Sequence, residues 1–223
     1  MAVESSLSGA ATLYQPKAFA VSDLAALHQL IEQSPLATLV SPGANGLQAS
    51  HLPLLLVAQE GEFGTLYGHF ARANPQWREL NGDAEALAIF QAGEAYVSPG
   101  YYPSKAEHGK VVPTWNYQAV HVRGRLEVFD ERERLLDLVG RLSAHHERGR
   151  AQPWAVSDAP ADYIDGMLRA IVGFALPIRR IEGVRKLSQN KGAADFAGVR
   201  EGLAQSSRAE ERRIAEAMAG LKR

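Results

Sequence analysis

The residues best equipped for chemistry in this 223-residue chain cluster first between Ser98 and Tyr117, SPGYYPSKAEHGKVVPTWNY. Lys105, Glu107, His108 and Lys110 are acid, base and cation candidates, set among the rings of Tyr101, Tyr102, Trp115 and Tyr117. Pro99, Pro103 and Pro113 fix local backbone angles and remove donors, so side chains here are aimed by a stiff chain. Aromatic faces beside cations suit a flat or anionic ligand, and a solvated loop with aromatic anchors fits the same residues equally well. A second candidate is YGHFARANPQW, residues 67–77. Arg72 sits where a strand should end, and Asn74 and Pro75 open a helical turn, so a guanidinium and free amides would converge on a phosphate. A surface arginine beside a capping asparagine is the commoner arrangement at such a junction.

His51 and His69 fall on successive predicted strands. A metal would need a third ligand, and no Asp or Glu stands near either in sequence. They read as satisfied strand histidines or as hydrogen-bond partners of an organic cofactor. His145, His146 and Glu147 are adjacent at a helix end, where neighbours point about 100° apart, so they read as a solvated terminus. No metal site is expected. Residues 186–191, KLSQNK, form a donor-rich turn in which Lys186, Gln189 and Asn190 either cap the chain or wall the same site. Neither GxGxxG nor GxxxxGK[ST] occurs, which argues against Rossmann cofactors and Walker ATPases.

These residues must be held by elements that the rest of the chain specifies. Apolar residues make up 46% and charged ones 22%, enough to fill a core and stay soluble. With a formal net charge of -1 there is no global cationic field for nucleic acid, and no helix-turn-helix, zinc-finger or RNP motif appears. Cysteine is absent, which removes thiolate chemistry and disulfides. No signal peptide or long apolar run is seen, so a cytoplasmic location and no membrane contact are expected. Leu24, Leu27, Leu30 and Ile31 recur at helical spacing behind Ser22 or Asp23 as a cap. Short apolar runs predict strands near 36–41, 47–57, 65–71, 86–91, 119–129 and 171–182, with Pro177 at an edge or bulge. In the 119–129 strand His121, Arg123, Glu127 and Phe129 should form the wet face. Helices follow over 131–147 and 162–169. The tail from Gly192 is helical, with Ser207 and Glu210 as a capping box, and its interleaved acids and bases describe a solvated face. Antiparallel strands with helices between them predict a mainly β (α+β) barrel with peripheral helices.

Taken together, PLATLVS (35–41), SHLPLLL (50–56), GHFARANPQW (68–77), YVSPGYYPSKAEHGKVVPTWNY (96–117), IVGF (171–174) and KLSQN (186–190) resemble the PaiB family. That family is described as FMN-binding negative transcriptional regulators, with the split β-barrel shared with pyridoxamine phosphate oxidases. Tyr101, where the family usually has tryptophan, and Glu94, where proline is expected, depart from its pattern. The resemblance implies the split-barrel fold, while length, composition and pattern predict one domain over 1–223 with a flexible, small and polar N-terminus over about 1–13 and a helical C-terminal extension over about 191–223. It implies a homodimer with FMN in two interface clefts, and Arg72 and Asn74 as phosphate contacts. His51 and Leu52 would flank the flavin, His69 and Ala71 would line its strand, and Lys186 and Gln189 would approach from either subunit. Trp115 and Tyr117 become the cleft wall, and Lys105, His108 and Lys110 candidates to meet a second ligand. Two functions follow: a flavin-dependent regulator, with direct DNA contact unsupported by charge or motif, or a flavin oxidoreductase or haem-degrading oxygenase using the same cleft.

Overall fold

The computed structural model describes residues 13–80 and 84–221. The flexible lead-in expected over about 1–13 therefore falls, apart from residue 13, outside the described residues. The first described elements are a two-residue strand, β1 (Ala20–Val21), and helix α1 (Leu24–Gln33), whose first turn is capped by Asp23, its carboxylate accepting from Ala26 N at 2.9 Å. Strands β2 (Leu36–Gly43), β3 (Gly46–Pro53), β4 (Leu55–Val57) and β5 (Thr65–Ala71) follow, then a four-residue helix α2 (Gln76–Glu79) and the long strand β6 (Ala86–Val97). A 3-10 turn (Pro99–Tyr101) and the short α3 (Ser104–His108) lead into β7 (Thr114–Gly124) and β8 (Glu127–Phe129). After α4 (Arg132–Glu147) and α5 (Ala161–Arg169) come β9 (Ile171–Pro177), β10 (Arg180–Lys186), α6 (Ala193–Ala204) and α7 (Ala209–Ala219).

The strands form two antiparallel sheets, of order β1-β10-β7-β6-β2-β3 and β4-β5-β9-β8. The chain passes between them at Leu54, between β5 and β6, at Arg125–Leu126 and at Ile178–Arg179, so both sheets wrap one core that includes Leu30, Leu39, Leu66, Phe70, Phe90, Val122 and Phe174. This is the expected mainly β split barrel with helices around it.

Three expected strands are each two. The 47–57 run breaks at Leu54, whose N–H turns to Pro35 O at 2.8 Å. The 171–182 run breaks after Pro177, which has no N–H to continue the ladder. The 119–129 run starts earlier and breaks at Gly124, where a Cβ would lie 2.3 Å from Pro177 O; only glycine lets the two crossings pass so closely. Phe129 consequently turns inward against α4 instead of standing in water. The 86–91 strand runs on to Val97 through a bulge between Gln91 and Glu94. The capping box at Ser207 and Glu210 does not form: α7 starts with Arg208 at its cap, and Ser206 Oγ accepts from Arg208 N at 3.1 Å.

Two satellite cores complete the molecule. Helices α4 and α5 cover the four-stranded sheet through Leu135, Leu138, Leu142 and Leu168. Helices α6 and α7 cover the far end of β6 through Val199, Leu203, Ile214 and Met218, with Tyr102 buried among them.

Candidate functional site

The sequence candidates fall into two groups. The first gathers at β3, β5 and the turn after β5. His51 stands on the outer face of the six-stranded sheet, its Nδ1 3.1 Å from Thr38 Oγ1, with Leu52 half-buried behind it against the core. Ala71 is exposed at the end of β5. His69, two residues earlier, is mostly buried; its Nδ1 has no hydrogen-bond partner, and burial pushes its pKa below the usual histidine range, so it is neutral at pH 7.

Arg72 and Asn74 do not converge as their spacing suggests. Arg72 turns toward β9 and α5, with Nε donating to Arg169 O at 2.8 Å, Nη2 to Ile171 O at 3.0 Å and Nη1 to Asp130 at 3.3 Å. Asn74 turns toward β3: Nδ2 donates to Ser50 Oγ at 2.8 Å, while Oδ1 accepts from Gln76 N at 3.0 Å. The amide at the start of α2 is therefore already taken. Ser50 passes a bond on to Gln76 Oε1 at 2.6 Å, and Gln76 Nε2 reaches Leu39 O and Ser41 Oγ. This closed network fixes the 72–76 turn on the sheet. Arg72 keeps free N–H groups beside a cavity of about 170 Å³ that it shares with Asp130, Arg132, Asp165 and Arg169. Ser50, Gln76, Arg132 and Arg169 were not singled out by sequence, because nothing in local spacing connects them to Arg72 or Asn74.

The second group gathers where β7 begins and β10 ends. Lys186 Nζ donates to Thr114 Oγ1 at 2.6 Å and to Trp115 O, and lies 6.0 Å from the Tyr117 ring centre. Burial, then the charge of Lys191, pushes its pKa down. Trp115 and Tyr96 meet edge to face at 5.9 Å and remain 48% and 42% exposed, an unusual outlay of ring surface to water. Gln189 closes its own turn, accepting from Leu187 N at 2.6 Å and donating to Arg185 O. Ser188 within that turn holds φ 63°, and its Oγ donates to buried Asn116 at 3.0 Å.

Lys105, His108 and Lys110 are exposed on α3 and its end, with Lys110 N donating to His108 Nδ1 at 3.0 Å. They form no acid–base pair. Tyr101 and Tyr102 are not ligand-facing rings: Tyr102 is 3% exposed and Tyr101 packs on Gly198 and Gly202 of α6, while Ser104 is tied to Asp195 of α6 at 2.8 Å. His145 and His146 meet ring to ring, and no group of three metal-ligating side chains occurs among the described residues.

Within one copy the two groups do not meet. In the six-stranded sheet, β6 and β2 stand between β7 and β3.

The fold is a split barrel that solved structures of low sequence identity share. It superposes on the flavocytochrome Anf3 of Azotobacter vinelandii with a TM-score of 0.54, 14% identity and coverage of 80% of this chain and 74% of that one. The FAD and heme binding protein of Mycobacterium smegmatis gives a TM-score of 0.56 at 19% identity over 80% of this chain and 78% of that one. Residues 13–180 match the family described as "Putative FMN-binding domain". The Protease synthase and sporulation protein PAI 2 of Bacillus subtilis is 30% identical over 92% of this chain and 96% of its own length. The chain belongs to this family, the PaiB family of FMN-binding split-barrel proteins. No described helix is long and apolar enough to cross a membrane.

Proposed function

We propose that the chain binds FMN in a cleft completed by a second copy of itself, and that it acts as a flavin-dependent negative regulator of transcription. The observation that carries the two-copy reading is the separation of the candidate residues into two groups, one rich in donors near β3 and β5 and one rich in rings near β7 and β10. Neither group alone supplies both a phosphate cradle and a ring wall. The residues present fit FMN chemically. Arg72 and Arg169 offer guanidinium donors for a phosphate, Trp115 and Tyr117 offer faces, and the unpartnered Nδ1 of His69 offers a buried acceptor or donor for a polar ring edge. When bound, the flavin would supply reversible hydride and electron transfer. The protein's part is to hold the phosphate, exclude water from the ring and keep His69 neutral.

The regulator reading is supported by family membership, while the net charge of -1 provides no general attraction for DNA. A second reading, a flavin oxidoreductase, is favoured by His69, whose buried neutral ring can exchange a proton beside a redox cofactor. Titration of the purified chain with FMN, followed by fluorescence quenching and by light scattering, tests the site. Quenching at micromolar FMN with a dimeric mass is expected; a protein that stays monomeric and leaves FMN fluorescence unchanged overturns the proposal. A gel shift at physiological salt run beside an NAD(P)H oxidation assay separates regulator from enzyme.

A further inference from the structure

A cavity of about 620 Å³ opens on the opposite side of the six-stranded sheet from Tyr117, within the size range that holds small ligands. It lies where Gln33 and Ser34 at the end of α1, Gln91–Gly93 of β6, and Arg213 and Glu216 of α7 meet over Gln118. Its floor is a built polar surface. β6 spends one more residue than β7 between the pairs Gln91–Ala119 and Glu94–Tyr117, and such a bulge leaves backbone groups unpaired. Gln118 satisfies one of them, donating from Nε2 to Ala92 O at 3.2 Å. The residue is only 6% exposed, and its Oε1 accepts from no described residue, so a carbonyl oxygen at the cavity floor is left for a ligand's donor.

The wall formed by α7 carries two opposite charges. Arg213 and Glu216 are one turn apart, yet neither pairs with the other or with any described residue. Their neighbours are engaged: Arg208 pairs with Glu211, and Arg212 donates to Ser206 O. Side chains three apart on a helix stand about 5–6 Å from one another at Cβ, close enough for two long ones to straddle a small ligand's head group. A simple anion would meet Glu216, and a simple cation would meet Arg213.

We propose that this cavity binds a small zwitterion, a free α-amino acid or a dipeptide. Arg213 takes the carboxylate in a two-point contact, Glu216 takes the ammonium, and the amides of Gln118 and Gln33 with the Ser34 hydroxyl take the polar remainder. The site is independent of the flavin, because Gln118 and Tyr117 alternate to opposite faces of β7.

The test uses the full chain and a panel of the standard amino acids and their glycyl dipeptides at millimolar concentration, read by thermal shift and then by calorimetry, since a ligand of the native state raises its melting temperature. A saturable shift from at least one zwitterion is expected. Its affinity should fall about tenfold or more in both Arg213→Ala and Glu216→Gln, the loss of one charge-assisted contact each. Both positions are exposed, and melting without ligand verifies that the variants fold. The amide of the same amino acid, which lacks the carboxylate, and its N-acetyl form, which lacks the ammonium, should bind no better than the variants allow. The proposal is overturned if no member of the panel binds, if binding survives both substitutions, or if the N-acetyl form binds equally well and marks a plain anion site. None of these readings involves flavin, so each is decided separately from FMN binding.

Discussion

Replacing Arg72 separates two roles that its position combines. Its guanidinium bridges the end of β5 to the backbone of Arg169 and Ile171, at 2.8 and 3.0 Å, and pairs weakly with Asp130, which is 64% exposed. The Asp130 contact is close to neutral because water screens it. The two bonds to carbonyls matter more, each contributing about 1 kcal/mol once the partial exposure of the side chain is discounted. Arg72→Ala should therefore lower stability by about 2 kcal/mol, or about 4–8 °C in melting temperature for a chain of this size. If Arg72 also donates to the FMN phosphate, the same substitution weakens FMN by a further 1.5 to 3 kcal/mol, about ten- to a hundredfold. Arg72→Lys sharpens the contrast, since it keeps the charge but cannot span both carbonyls. The lysine variant should lose most of the stability and only part of the affinity. Urea midpoints measured without flavin and quenching titrations measured with it provide the two numbers. An unchanged midpoint in Arg72→Ala would refute the bridging role, and an unchanged FMN affinity in a folded Arg72→Ala would remove Arg72 from the phosphate site.

Gly198→Ala places a Cβ 2.2 Å from Tyr101 O, a backbone atom that cannot swing aside, so α6 must lift from the 99–101 turn at a cost of about 1–3 kcal/mol; a melting temperature equal to the parent's would contradict this packing. Acid should destabilise the protein through two half-buried histidines, His69 and His121, the second lying on the strand face expected to be wet. Burial holds His69 below its ordinary pKa, and His121 likewise, with Glu182 opposing and Arg123 reinforcing. As the pH falls through about 6.5 the unfolded chain takes up protons that the folded chain refuses, so stability falls, by at most about 1.4 kcal/mol per pH unit for each ring. His69→Gln should flatten part of that slope in urea midpoints taken on either side of neutrality, and an identical slope in the variant would clear His69 of the effect.

The elements legible in the sequence were those with an uninterrupted period. The α1 stripe of Leu27, Leu30 and Ile31 is buried as its spacing requires, and β5 occupies the residues its alternation marks. Three of the crossings between sheets were hidden because apolar residues continue straight through them: Leu54, Leu126 and Ile178 are all core residues and all lie between strands. Periodicity reports which side is buried, not which sheet is paired. The same limit applies to Arg72 and Asn74. Their partners, Arg169 and Ile171 for one and Ser50 for the other, lie 97, 99 and 24 residues away in sequence. The short spacing that suggested convergence carried no information about where each side chain would be drawn.

The bulge in β6 was equally invisible, although it shapes both sides of the sheet. Gly93 takes φ 102°, a backbone angle that glycine adopts at little cost, and the extra residue re-aims the last turn of the strand. Beyond the bulge Glu94 stands opposite Tyr117 and Tyr96 opposite Trp115, on the face where rings remain exposed. On the other face the displaced Ala92 carbonyl draws in Gln118 and leaves its oxygen at the floor of a cavity. Gln91 ties the two sides together, since it lines that cavity while its amide donates to the Glu94 carboxylate. One inserted residue thus shapes both faces of the sheet, leaving rings exposed on one and a side-chain carbonyl at a cavity floor on the other.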